Sequence, residues 1–157
     1  NSRNIDFSCR IGTNYERNTV AFQRKTMLKF LPKSIDTNKV RRTKYLNEMK
    51  NSKFTISPFG WGELCPRDFE SFICGSILIK PNMSDFKTWP NWYLNNKTYI
   101  PFDWNFRNLK EVIEYSMDNY KRLMNIAITA QNMYFKFAVS KDSENIFLNR
   151  FKKLLNK

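Results

Sequence analysis

Apolar and polar residues alternate through IDFSCRI, residues 5–11, and the run stops at Gly12. A period of two predicts a half-buried strand closed by a turn. From Glu16 to Leu31 the apolar positions are Val20, Phe22, Met27, Leu28 and Leu31, an irregular helical face that Pro32 ends. KSIDTNKVRR, residues 33–42, reads as a basic surface loop or frayed segment, and TKYLNEMKNS after it as a short helix with Tyr45, Leu46 and Met49 on one side. KFTIS, 53–57, is the next strand. A helix then spans Cys65 to Cys74: Pro66 suits the first helical position, Phe69, Phe72 and Ile73 recur at i, i+3, i+4, and Gly75 supplies the C-terminal turn. The unbroken apolar run in SILIK, 76–80, predicts a strand buried on both faces.

Strand, glycine loop, helix and strand in so short a span make a βαβ unit, which implies a parallel sheet and an α/β class. In such sheets ligands sit at the carboxyl ends of the strands, which places Gly60 to Glu63 at a site. TYIPF, 98–102, adds a short strand. NFRNLKEVIEYSMDNY is amphipathic through Leu109, Val112, Ile113, Met117 and Tyr120, and two further helices cover roughly 121–137 and 142–156. The last, within a basic amphipathic segment at 138–157, has Phe147, Phe151, Leu154 and Leu155 on one side and Arg150, Lys152, Lys153 and Lys157 mostly on the other. No internal repeat or low-complexity tract interrupts this order.

A chain of 157 residues fits one domain and buries roughly 70% of its unfolded surface, so it holds a core without disulfides or metal. Cys9, Cys65 and Cys74 are odd in number, have no metal-ligand spacing and fit a reducing cytoplasm. With no histidine in the chain, a histidine base is excluded. The longest nearly uncharged apolar run, SFICGSILI from Ser71, is far short of the roughly 20 residues of a membrane span, and the polar start is no secretory signal. The absence of an initial methionine points to processing or to a piece of something longer. Net charge is +13, yet the cations concentrate in the first and last thirds and leave residues 54–105 close to neutral. A duplex binder places its reading element inside a basic stripe, so nucleic acid fits less well than the charge alone implies. An anionic membrane surface or a phosphorylated substrate remains open.

The nearly neutral middle third holds the most crowded chemistry. SPFGWGELCPRDFESFICGSILIKP, 57–81, gathers glycines, prolines, two glutamates and an arginine between two strands. Gly60 and Gly62 let backbone approach a ligand, and the helix N-terminus that follows offers N–H groups and a partial positive charge, a combination that favours phosphate. Arg67 in the first turn adds a bidentate donor for pyrophosphate oxygens. Glu70, on nearly the same helical face, accepts from the vicinal hydroxyls of a ribose, and Glu63 reaches hydroxyls on the other side. Phosphate donors flanked by hydroxyl acceptors describe a nucleotide-sugar. The same residues have a plainer reading, with glycines serving the turn and Arg67 and Glu70 forming a surface ion pair.

SKFTISPFGWGELCPRDFESFICGSILIKPNMSDFKTWPN, 52–91, resembles the donor-binding segment of GT-B glycosyltransferases, in the branch related to exostosin and the spore-coat protein CgeB. The matching parts are a strand-loop at Ser52–Gly60, an R-x-x-E helix at Arg67–Glu70 and a small-residue turn into an apolar strand at Gly75–Pro81; IDFSCRIGTNYERN resembles the domain's first strand and glycine turn more loosely. The resemblance implies a Rossmann-like parallel sheet flanked by helices, catalysis without a bound metal ion or other cofactor, and a sugar passed from a nucleotide-sugar to a glycan or lipid-linked acceptor. It implies that Glu70 binds ribose, that Arg67 and the Gly60–Gly62 backbone lie near the diphosphate, and that Glu63 lies near the sugar. Six residues separate Glu63 from Glu70, one fewer than in the group 1 pattern. Such enzymes also carry an N-terminal domain, so the expectation is a donor half of a larger transferase.

The expected nucleotide-sugar set is therefore Gly12, Thr13, Gly60, Trp61, Gly62, Glu63, Arg67, Glu70 and Lys80, with Glu63 and Arg67 as the catalytic members. Lys80 approaches a phosphate from the strand end or is simply solvated there. Trp89, Trp92 and Tyr93 stack on a sugar or form an aromatic clamp beneath a long loop. The terminal basic helix lies on an anionic membrane or packs back on the domain. The alternative function is a non-catalytic nucleotide- or RNA-binding module.

Overall fold

The computed structural model describes residues 3–156, leaving Asn1, Ser2 and Lys157, including the last cation assigned to the final helix, outside the described residues. Four strands, β1 (Ile5–Ser8), β2 (Ser52–Ile56), β3 (Ile77–Pro81) and β4 (Ile100–Phe102), form one sheet in that order, each neighbouring pair parallel. Among the described residues six α-helices flank it: α1 (Asn18–Leu28), α2 (Arg42–Asn51), α3 (Pro66–Cys74), α4 (Leu109–Asp118), α5 (Tyr120–Tyr134) and α6 (Ser143–Leu155), with a π-helical turn at Phe135–Val139 between the last two. The fold is α/β and Rossmann-like, as the β2-α3-β3 unit predicts.

All five residues of β3 are buried, the pattern of a strand covered on both faces. One face carries Phe54, Ile56, Ile77, Ile79, Ile100 and Phe102 against Met27 of α1, Leu109 and Ile113 of α4 and Ile126 of α5. The other carries Leu78 against Phe72 of α3, Tyr93, Tyr99 and Ala130 of α5. Each such buried apolar side chain contributes roughly 1.5–3 kcal/mol. Because α5 feeds both clusters, it ties the two layers together, and Gln131 Nε2 donates to the Ile73 carbonyl at 3.0 Å where α5 meets α3. Gly75 ends α3 with φ 64°, and the Ser76 N–H returns to the Ser71 carbonyl at 3.0 Å. Only glycine takes that conformation without strain.

Three helical faces differ from the sequence pattern. In α1 the buried residues are Val20, Ala21, Arg24 and Met27, while Phe22 is 73% exposed, and the helix ends at Leu28 rather than Leu31. In α3 the buried stripe is Asp68, Ser71 and Phe72, with Ile73 turned out. α6 buries nothing. In the first two, a polar residue occupies the inward position because it has partners there.

Candidate functional site

The loops that leave the C-terminal ends of β1 and β2 diverge around a cavity of about 660 Å³. The sheet order runs without reversal, so the opening comes from this divergence and not from a topological switch point. Arg24, on the inward stripe of α1, fixes the two loops relative to each other. Its Nε donates to the Phe59 carbonyl at 3.0 Å, and its Nη1 donates to the Gly12 carbonyl at 3.2 Å and to the Tyr15 hydroxyl at 2.7 Å. The guanidinium also lies 4.6 Å from the Tyr15 ring centroid. Burial pulls the Arg24 pKa below its ordinary value, and the neighbouring Arg67 adds to that, against an opposing pull from Tyr15.

Tyr45 of α2 stands between the two residues of the R-x-x-E helix. Its hydroxyl donates to Glu70 Oε2 at 2.9 Å and accepts from Arg67 Nε at 3.3 Å. Burial raises the phenol pKa, with Arg67 opposing, so the hydroxyl stays protonated and donates. Arg67 Nη2 donates to the Arg10 carbonyl, while its Nη1 is buried without a hydrogen-bond partner among the described residues. Glu70 pairs with Arg42 at 3.0 Å. Among the described residues Arg67 and Glu70 make no ion pair with each other, so the plainer reading of their spacing does not describe them. The Glu70 carboxylate uses two of its roughly four acceptor directions on Tyr45 and Arg42, which leaves capacity for hydroxyl donors.

Charge on this wall is unbalanced. Arg10 is neutralised by Glu48, which its Nε and Nη2 reach at 2.9 and 2.5 Å, and by Asp36, and this pairing holds its pKa above the ordinary arginine value. Arg24 and Arg67 donate only to carbonyls and hydroxyls, and among the described residues neither has a carboxylate within ion-pair distance. Two guanidinium groups drawn out of water without counter-ions make a strongly positive wall. Lys39 and Arg42 add to it at the rim.

Of the predicted residues, Gly12, Gly60, Trp61, Arg67 and Glu70 line the cavity. Trp61 is 68% exposed at its mouth, with the Arg17 guanidinium 4.6 Å from its ring centroid. A Cβ at Gly12 would stand 2.6 Å from Lys39 Cε, so a side chain there would displace that lysine from the rim. Thr13, Gly62 and Glu63 are outside the lining; the Gly62 carbonyl instead accepts the Gly60 N–H at 3.0 Å, closing the loop on itself.

Lys80 and the N-terminus of α3 depart from their expected roles for one reason, which is Asp68. Its carboxylate is fully buried and accepts from Ser57 Oγ at 2.6 Å, Tyr93 Oη at 2.6 Å and the Cys65 N–H at 3.2 Å. The Cys65 N–H at the helix start is thus capped from within, and the positive charge around the cavity is carried by side chains. Lys80 is neither at the cavity nor solvated. It is fully buried with Nζ 3.0 Å from Asp68 Oδ2, too poorly aligned for a hydrogen bond, and 5.0 Å from the Phe59 ring centroid, so the attraction is Coulombic and cation–π.

The aromatic segment divides its roles. Tyr93 is buried on Asp68, Trp92 packs on Phe69 and Tyr134, and Trp89 is 41% exposed against Phe137 and Phe147. Sequence reasoning missed Arg24, Lys39, Arg42 and Tyr45 as site residues. A signal existed for Arg24, which falls four residues after Val20 and three before Met27 on the buried stripe. None existed for Lys39 and Arg42, in a segment without apolar period. No protein-family model matches the chain, and a search of curated proteins returns no significant match.

Proposed function

We propose that this cavity binds the diphosphate and ribose of a nucleotide-sugar, and that the chain is the donor-binding part of a glycosyltransferase. The observation that carries the reading is the pair of guanidinium groups, Arg24 and Arg67, in the cavity wall without carboxylate partners, beside the one carboxylate, Glu70, that Tyr45 orients. A diphosphate supplies the missing negative charge. A ribose supplies hydroxyl donors for the remaining acceptor directions of Glu70, with Arg42, whose side chain is 73% exposed, free to swing to the phosphates. Trp61 at the mouth offers a face for the base or sugar. In sugar transfer, charge grows on the departing diphosphate, and Arg67, held by Tyr45 and Arg10, is placed to stabilise it. Glu63 has no assigned role in this reading, and a catalytic base belongs to the acceptor-binding part of such an enzyme.

Titrating the chain with UDP, GDP and single-stranded RNA, read by tryptophan fluorescence, tests the proposal. One nucleoside diphosphate is expected to bind saturably, with Kd raised at least tenfold by Glu70→Gln and by Arg67→Met in variants whose melting curves show them folded. Trp61→Phe is expected to remove most of the fluorescence change. Absence of any saturable nucleotide binding, or affinity indifferent to both substitutions, overturns the reading. Salt-sensitive RNA binding in its place would assign the positive wall to phosphodiesters instead.

A further inference from the structure

α6 presents an apolar stripe that no element among the described residues buries. Phe147, Phe151 and Leu154 recur at i, i+4, i+7, flanked by Leu148 and Leu155, and their exposure runs from 39% at Leu148 to 69% at Leu155. The stripe extends beyond the helix. Trp89 packs against Phe147 with ring centroids 6.4 Å apart and remains 41% exposed, and the π-helical turn adds exposed Phe135 and Val139. Large apolar side chains left in water at this density mark a surface that is covered in use.

The charges beside the stripe decide what covers it. At 3.6 residues per turn, the five apolar residues centre on Phe151, Arg150 and Lys152 fall on opposite sides of that strip, and Lys153 lies on the far face. Asp142 and Glu144 sit at the start of the helix, and the last two turns carry these cations and no carboxylate. An apolar strip bounded by cations on both sides matches a boundary where acyl chains are framed by anionic headgroups, with lysine and arginine stems lying along the apolar strip and their charges reaching outward. No helix among the described residues is long and apolar enough to cross a membrane, so the contact is parallel to the surface.

We propose that α6, with Trp89, docks the chain on an anionic lipid surface. This inference stands apart from the nucleotide reading, since no cavity residue takes part in it. Flotation of the full chain with vesicles tests it, comparing phosphatidylcholine alone with phosphatidylcholine carrying about one-third phosphatidylserine. The chain is expected to float with the anionic vesicles only. Phe151→Glu or Leu154→Glu should abolish flotation, and Arg150→Gln with Lys152→Gln should lower partitioning about thirtyfold, from the roughly 1 kcal/mol that each cation contributes near such a surface. Because α6 buries no residue, these variants should melt with the parent chain, which a thermal scan checks. Equal flotation on neutral vesicles, or none on either, overturns the proposal. So does concentration-dependent dimerisation that Leu154→Glu removes in a chain that ignores vesicles, since a second copy would then be the cover.

Discussion

Replacing Lys80 with methionine separates two roles that sequence alone could not. The substitution keeps most of the apolar stem and deletes the ammonium that stands 3.0 Å from Asp68 Oδ2 in a fully buried site. Removing one partner of a buried ion pair costs about 3–5 kcal/mol, because the other charge stays behind uncompensated. Here the carboxylate keeps its bonds from Ser57, Tyr93 and the Cys65 N–H. The loss should therefore fall near the lower end, about 3 kcal/mol, which for a domain of this size lowers Tm by roughly 6–12 °C. Asp68→Asn strands the ammonium against only the Phe59 and Tyr93 rings and should cost nearer 5 kcal/mol. In the double variant neither charge remains, and a total of about 2 kcal/mol is expected, so the two single effects should exceed the double by several kcal/mol. Urea unfolding followed by circular dichroism measures all four proteins, and fluorescence titration with the preferred nucleoside diphosphate is run on each folded variant. Additive losses would refute the buried pair. A Lys80→Met protein with unchanged stability and weakened nucleotide binding would return Lys80 to the phosphate role.

Four shorter expectations follow from the same geometry. Gly12→Ala should leave stability within about 0.5 kcal/mol, since the Cβ meets only the mobile end of Lys39, yet weaken nucleoside diphosphate binding by displacing that cation, as a Kd measured beside a melting curve would show. Arg24→Met leaves the Phe59 and Gly12 carbonyls without their donor and should cost about 2–4 kcal/mol in urea unfolding. Gly75→Ala forces a left-handed conformation on a residue with a Cβ, 3.0 Å from Arg3 Nη2, and should cost about 1–2 kcal/mol by the same assay. Burial raises the pKa of all three thiols, Cys9 to about 12, so iodoacetamide near pH 8 should label partly exposed Cys74 first, with the rate still climbing above pH 9 as thiolate forms; mass spectrometry showing Cys9 or Cys65 labelled as fast would contradict the structure.

The sheet was legible because its strands announce themselves by composition. An unbroken apolar run such as ILI in β3 has one economical fate, burial on both faces between helices, and Pro66 and Gly75 mark the ends of α3 by chemistry that acts within a few residues. The parallel pairing of β2 with β3 then follows from the single-helix crossover between them. Side-chain polarity proved a weaker guide wherever burial is decided by a distant partner. Phe22 reads as core and is exposed, while Arg24 reads as surface and is buried, because three acceptors from two loops wait for it inside.

The same logic limits what a local motif reveals of a site. Arg67 and Glu70 were identifiable from their spacing in one helix, but their orientation depends on Tyr45, more than twenty residues earlier, and the carbonyl of Arg10, in a different loop. Lys80 and Asp68 show the converse. Each is a charged residue in the crowded stretch, and each is consumed by the other, so the positive potential at the cavity comes from arginines outside that stretch as much as from within it. A loop rich in glycine and proline is shaped by its own residues, whereas the charge it faces is set by whichever side chains fail to find a counter-ion. Among the described residues those include Arg24 and Arg67, brought together from α1 and α3 by the parallel pairing of β1 and β2. The substitutions that matter most for ligand affinity should therefore be sought among residues with no opposite charge in reach.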